Sequence, residues 1–239
     1  MGILLISQMR KAIKDYDMIQ NKDCIAVGLS GGKDSLAMLY GLSLIRGHIE
    51  QSFEIKAVTL KMSSINPDTD YLKTFCDRIN VELVIKQTDI EQIVFEVREE
   101  KSPCSLCANM RRGILNDTAK SNGCNKVALG HNKDDAIETF LMCMYYEGRF
   151  HTFTPVTYLS RKDITVIRPL IYSFEKDIKD FNERMDIVPV KTLCPMAGKT
   201  NRQRIKEYIK NESLINPNFK YNLFRSFTHG GISGWKEVI

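Results

Sequence analysis

Short apolar runs of extended character alternate with longer segments of helical periodicity along most of this chain, and that alternation restricts the fold more than any other feature. The runs are CIAVGL (24–29), EIKAVTL (54–60), VELVIKQ (81–87), NKVALG (125–130) and ITVIRPLI (164–171), the last ended by Pro169. Leu5, Met9, Ile13, Tyr16 and Ile19 recur at helical spacing and predict an amphipathic helix ahead of the first strand. TDYLKTFCDRI, CANMRRGILNDTAKSNG, DDAIETFLMCMYY and FEKDIKDFNERMD predict further helices, with Gly123 as a stop. Within the third of these, Ile137, Phe140, Leu141, Met144 and Tyr145 form one apolar stripe, while IVPV (187–190) reads as a short extended piece. Strands that alternate with helices fold as parallel α/β. The expectation is a doubly wound parallel sheet over residues 1–198, with a helical, basic C-terminal region over 199–239 packed on it.

Composition matters mainly for what it excludes. With 43% hydrophobic and 26% charged residues, the 239-residue chain has the make-up of a soluble globular protein. Ile3 to Ile6 are too short for a signal-peptide core, and Ile6 stands where a myristoylation pattern wants Ser or Thr. The longest later apolar run, FLMCMYY, falls far short of the roughly 20 residues of a membrane span. A cytoplasmic protein with no membrane partner is expected. In that compartment seven cysteines do not read as a disulfide framework. Cys24, Cys76, Cys124 and Cys143 lie singly in apolar or helical stretches and read as core filler, whereas Cys104, Cys107 and Cys194 do not.

Charge is uneven. The net charge is +5, yet Lys191 to Arg225 alone carry eight basic residues against Glu207 and Glu212. Such a stretch is compatible with a solvated helix face or with nucleic acid. Phe219, Tyr221, Phe224 and Phe227 interleave with it, as base-stacking or as docking side chains.

Ser30 to Ser35 read SGGKDS, between the first predicted strand and the apolar run LAMLYGL. A Walker loop, G-x-x-x-x-G-K-S/T, differs from it twice: Gly28 and Gly32 enclose only three residues, and Lys33 is followed by Asp34. The strand–glycine–helix setting still makes an anion site, because Gly31 and Gly32 bare backbone amides and the helix points its positive end at the ligand. The stretch resembles the PP-loop of the N-type ATP pyrophosphatases, which split ATP between the α and β phosphates. That resemblance implies a Rossmann-like, adenine nucleotide alpha hydrolase-like fold, ATP and Mg²⁺, and adenylyl transfer to a substrate oxygen. Lys33 would then neutralise the departing phosphates, Ser30 and Ser35 would donate hydrogen bonds, and Asp34 would help to hold Mg²⁺.

LGHNKDDAIET (129–139) joins the end of a predicted strand to the start of a helix. Two acidic residues there are often only favourable dipole partners. Ligands of doubly wound sheets, however, lie at the carboxyl ends of strands where the strand order reverses. GHNKDD also resembles the superfamily's second nucleotide motif. The resemblance places this strand beside the PP-loop strand, brings Gly130 against the nucleotide, and makes Asp134 and Asp135 candidates for metal or substrate-oxygen chemistry.

PCSLCANMRRG sets Cys104 and Cys107 just ahead of a helix expected from Ala108, and Cys194 precedes a helix expected from Lys199. In a parallel layout such helices begin on the edge that carries the glycine loop. CxxC spacing serves zinc, redox chemistry and iron–sulfur ligation alike. A closed zinc site wants four ligands, whereas three suit a cubane with one open iron. SGGKDS, CSLCANMRRGIL, LGHNKDD, IRPL and LCPM, in that order over roughly residues 24 to 210, are similar to the tRNA thiolation enzymes of the TtcA and TtuA type.

The second resemblance implies a [4Fe-4S] cluster on Cys104, Cys107 and Cys194, and a catalytic role for Arg111, four positions after Cys107. It also implies exchange of a pyrimidine C2 oxygen for sulfur in tRNA, with 2-thiocytidine favoured over 2-thiouridine. Sulfide or a persulfide from a cysteine desulfurase would be the sulfur donor, Lys199, Arg202, Arg204 and Lys206 would hold tRNA phosphates, and a homodimer is compatible with it. Arg168 and Arg202 are weaker candidates for substrate contact, each read first as a surface ion-pair residue. Two departures stand out: the chain lacks the zinc-binding segments of the TtuA type, and it reads CPMAGKT where the TtcA type has a second CxxC. Two other classes compete: a PP-loop pyrophosphatase transferring nitrogen, of the lysidine or amide-forming kind, and a non-catalytic RNA-binding or redox-sensing protein stapled by zinc or a cluster.

Overall fold

The first amphipathic segment forms helix α1 (Leu4–Asp15), with Leu5, Met9, Ala12 and Ile13 buried. The structure is a computed structural model and describes residues 4–62, 68–94, 103–190 and 200–236. After α1 come β1 (Asp23–Gly28), α2 (Lys33–Ile45), β2 (Phe53–Lys61), α3 (Thr69–Arg78), β3 (Glu82–Gln87) and the single turn α4 (Ile90–Gln92). The chain continues as α5 (Pro103–Ser121), β4 (Lys126–Ala128), α6 (Lys133–Glu147), β5 (Val156–Leu159), β6 (Ile164–Ile167), α7 (Glu175–Arg184), α8 (Asn201–Ile215) and α9 (Phe219–Thr228). Short polar side chains start several of the helices. Asp68 accepts from the amides of Asp70 and Tyr71, Asn132 from Asp135, and Thr200 from Gln203, filling donors that a first turn leaves open. Gly148 ends α6 in the left-handed conformation (φ 63°) that a side chain would resist.

The strands lie in the order β3-β2-β1-β4-β6-β5. All neighbours are parallel except β5, which runs antiparallel to β6 at the edge. The chain winds outward from β1 to β2 and β3, then returns through α5 to place β4 on the other side of β1. Strand order therefore reverses between β1 and β4, which opens a crevice at their carboxyl ends. The helices divide unevenly over the two faces. Leu115 and Ala119 of α5 cover one face with Ala26, Val58, Val127 and Val166. The larger core on the other face gathers side chains from α1, α2, α3, α6, α7, α8 and α9.

Phe224 and Phe227 of α9 are buried in that larger core, against Trp235, Tyr172 and Phe140. Each buried ring contributes about 1.5–3 kcal/mol, so these two aromatics are docking side chains. Tyr221 stays half exposed.

Several expectations need correction. The α5 helix begins at Pro103, ahead of Ala108, so Cys104 and Cys107 stand inside its first turns. Strand β5 had no apolar signal, and residues 187–190 form no strand. Met144 and Tyr145 are exposed (38% and 61%), because α6 outruns the core it packs on. Cys24 and Cys124 do not lie singly: their sulfurs are 2.9 Å apart at the amino edge of the sheet, and burial, followed by Cys24, pushes the Cys124 thiol up to about 12.

Candidate active site

The turn from β1 into α2 is fixed by its own backbone and hydroxyls. The Leu29 amide closes the strand onto the Val58 carbonyl (2.8 Å). Gly31 has φ +80°, a left-handed conformation that favours glycine. Ser30 and Ser35 place their hydroxyls 3.2 Å apart, the Gly32 amide donates to Ser30 Oγ (3.3 Å), and Ser35 Oγ donates to the Gly32 carbonyl (2.9 Å). Gly32 caps α2, whose first-turn amides lack intrahelical partners. The result is a glycine turn shaped to cradle an anion and held by its own hydrogen bonds.

Charges around the cradle are organised by residues that sequence reasoning passed over. Lys33 Nζ bonds Asp34 (2.9 Å) and lies 3.4 Å from Glu175 of α7. Burial alone would lower the Lys33 ammonium, but Asp34 and Glu175 outweigh it and hold it raised, hence cationic. Asn182 of α7 donates to the Lys33 carbonyl (3.0 Å). Asn132 links the two acidic motifs: its side chain donates to Asp34 Oδ1 (3.1 Å) and accepts from the Asp135 amide (3.1 Å), while Asp135 accepts from the Asn132 amide (3.0 Å). A Cβ on Gly130 would meet the Asp34 backbone at 3.2–3.3 Å, so the absence of a side chain there lets β4's loop close on the cradle.

The two aspartates divide their work. Asp134 accepts from the Glu175 amide (2.7 Å) and pairs with Lys220 of α9 (2.6 Å), tying α6 to α7 and the C-terminal helices. Asp135 lies toward Asp34: burial first, and the Asp34 charge among the other causes, raise its carboxyl above the usual range. Arg202 of α8 holds both Asp135 (3.3 Å) and Glu138 (3.2 Å), and Lys206 reaches Glu138 (3.5 Å). Arg202 is thus an ion-pair residue. Arg204 is exposed, and Lys199 lies outside the described residues.

Cys104 and Cys107 sit one helical turn apart at the start of α5, Cys104 exposed and Cys107 half-buried beside a small cluster of Met62, Ile90 and Val94. Met62 immediately follows β2, so this cluster occupies the same carboxyl rim as the glycine turn. Leu115 of the same helix would touch a Cβ on Gly28 at 3.0 Å, which seats α5 against the strand that carries the cradle. Two thiols on one helical face suit a soft metal or cluster. The third sulfur, Cys194, lies outside the described residues, and among those described no third metal-type ligand joins the pair. Arg111 is exposed on α5. Arg168, expected at the surface, is buried and has no carboxylate partner among the described residues.

A reversal point in a parallel sheet, crowned by a glycine cradle and flanked by paired acidic residues, defines an α/β nucleotide-phosphate-binding protein. The PP-loop domain model matches residues 4–213. The tRNA-cytidine(32) 2-sulfurtransferase of Ralstonia pickettii is 37% identical over 225 residues, 93% of this chain and 71% of the relative. That of Coxiella burnetii (strain Dugway 5J108-111) is 35% identical over 228 residues, 94% and 89%. Among solved structures, the U34-tRNA thiolase NcsA from Methanococcus maripaludis with its [4Fe-4S] cluster superposes with a TM-score of 0.77 at 26% identity, covering 95% of this chain and 79% of that one. The chain belongs to the PP-loop domain family, as a relative of these tRNA thiolation enzymes.

Proposed function

We propose that the protein is an ATP-dependent tRNA sulfurtransferase that converts a cytidine of tRNA into 2-thiocytidine. The observation that supports it most is the shared rim: the glycine cradle and the paired cysteines of α5 stand at the carboxyl ends of neighbouring parallel strands.

The backbone amides of the turn through Gly31 and Gly32, the hydroxyls of Ser30 and Ser35, and Lys33 receive the phosphates of ATP. Asp34 and Asp135, joined through Asn132, supply the carboxylate oxygens that would hold Mg²⁺. The C2 oxygen of the base bonds to the α-phosphorus, the bond to the β-phosphate breaks, and pyrophosphate leaves against Lys33. A sulfur nucleophile then bonds to C2 and AMP departs with the former oxygen. A [4Fe-4S] cluster on Cys104, Cys107 and Cys194 would supply that sulfur at the sulfide level, taken up as sulfide or released from a desulfurase persulfide by a thiol that provides the two electrons. Arg111, on the cysteine-bearing helix, would stabilise the negative charge that develops on the base. Asp134 positions α6. Arg204 and Lys199 are the cations left for tRNA phosphates, since Arg202 and Lys206 are engaged with Asp135 and Glu138.

Anaerobic purification should yield about four irons per chain. Exchanging Cys104, Cys107 or Cys194 for Ala should abolish both iron loading and 2-thiocytidine formation, at least about 100-fold by nucleoside mass spectrometry, with ATP affinity within about threefold. One zinc per chain without ATP turnover, or full thiolation by any of the three variants, would sink the proposal.

A further inference from the structure

Arg168 directly follows β6 and is only 8% exposed. Its guanidinium donates from Nη1 to the Thr154 carbonyl (2.6 Å) and Thr157 Oγ1 (3.1 Å), and from Nε to His131 Nδ1 (3.3 Å). All three acceptors are neutral. Burying a cation without a counter-charge is costly and is seldom retained for stability alone. Burial first, then the charge of Arg112 of α5, lower the Arg168 cation to about 10.

His131 completes the arrangement. Because Nδ1 accepts from Arg168, the proton of the neutral ring is on Nε2, which is left as a donor. Burial, then the charges of Arg168, Arg202 and Arg112, push the imidazole down to about 3, so it stays neutral at physiological pH. Phe153 backs the ring at 4.9 Å and also faces the Arg168 guanidinium at 5.0 Å, which orients both groups from one side. His131 is the residue after Gly130, whose backbone packs on Asp34. A buried cation and a fixed donor thus stand together next to Gly130 and the nucleotide cradle, with no anion bonded to either among the described residues.

We propose that Arg168 and His131 form a second oxyanion pocket that takes a phosphoryl group, either a backbone phosphodiester of the RNA beside the target base or a phosphate of ATP or pyrophosphate. This deepens the thiolation proposal, on which it rests. Lys33 and the glycine turn already provide for the nucleotide, which favours the RNA source.

The test is His131→Ala and Arg168→Gln in the full chain. Binding of an unmodified tRNA transcript is measured across a salt series, and binding of ATP and of pyrophosphate by calorimetry. An RNA phosphate predicts about tenfold weaker tRNA binding and a salt slope smaller by about one, with ATP affinity unchanged. A nucleotide phosphate predicts about tenfold weaker ATP or pyrophosphate binding with tRNA unchanged, which supports the pocket and reassigns its ligand. Parental affinity for all three ligands in the His131→Ala variant overturns the pocket, and because that side chain is only partly buried the result stands even if Arg168→Gln fails to fold. Since both readouts are binding, a protein that never forms 2-thiocytidine would defeat the thiolation reading while leaving the pocket decidable.

Discussion

The two halves of the carboxyl rim are built differently. On the nucleotide side the backbone is held by its own contacts: Ser30, Ser35 and Gly32 bond one another, Asn132 ties Asp34 to Asp135, and Gly130 closes on Asp34. On the thiol side, Cys104 is exposed and Cys107 leans on a satellite cluster of Met62, Ile90 and Val94. Arg112 there donates to Asn109 of its own helix, at 3.2 Å. Transition-state charge is best met by dipoles that need no reorganisation, which the first half provides. Thiolate ligands instead draw their geometry from the metal they bind, and the folding of such sites is coupled to loading. Changes on the nucleotide side should therefore act through geometry, and changes on the thiol side through the bound group.

The sharpest separation lies within one dipeptide. Asp135→Asn should lower ATP-dependent turnover by about 100-fold or more, as the loss of a metal or charge-stabilising carboxylate does, while melting temperature and iron content hold steady. Asp134→Asn should do the reverse. It weakens the tie to Lys220 and the Glu175 amide, costing about 1–2 kcal/mol of stability, and leaves kcat within about threefold. Urea unfolding alongside single-turnover assays reads both. Equal kinetic damage from the two variants would remove the division between a chemical and a structural aspartate.

Two glycines compare the halves at equal chemical cost. An added Cβ at Gly130 meets the Asp34 backbone at 3.2–3.3 Å, whereas at Gly113, in the middle of α5, it meets nothing within 4 Å. Gly130→Ala should lower ATP-dependent turnover about tenfold by shifting Asp34 a few tenths of an ångström. Gly113→Ala should leave turnover unchanged and stabilise the chain by about 0.5–1 kcal/mol, as helix-interior glycine replacement does. A kinetic defect in Gly113→Ala would show that the thiol-bearing helix is as tightly positioned as the cradle, and the contrast would fail.

What the sequence could and could not reveal follows the same physics. The strands β1, β2, β4 and β6 were legible because their inner residues are covered on both faces, leaving short apolar runs such as residues 25–27 and 57–58. Strand β5 was missed because it is a short edge strand whose VTYL is half exposed, leaving no apolar run to notice. The start of α5 was placed too late although Pro103 was a usable sign: proline is favoured in a first helical turn. SGGKDS was legible because its chemistry is local. The companions of that loop were not, since Asn132, Glu175 and Asn182 are remote in sequence and join Lys33 and Asp34 only through the fold. Arg168 was read as a surface ion-pair residue, the usual state of arginine, and nothing in IRPL signals that β5 and the loop before it cover it.

Glu138 tests the seam that carries α8 onto the nucleotide half. It is 3% exposed, with Arg202 at 3.2 Å and Lys206 at 3.5 Å. Burial pushes its carboxyl up to about 7, helped by Asp135 and Asp134 and opposed by Lys206 and Arg202. A folded-state value above the unfolded one means that the native state holds the extra proton between about pH 4.5 and 7. Stability from this group therefore grows as pH falls through that window and is lost as pH rises past its upper end. Glu138→Gln cannot titrate, so parent and variant should diverge with pH. Their difference in unfolding free energy should shift by about 2 kcal/mol in the parent's favour between about pH 8 and pH 5.5. A difference that stays constant across that range would mean the two cations keep Glu138 ionised. The docking of α8 would then be a salt-bridge contact, as strong above neutrality as below it.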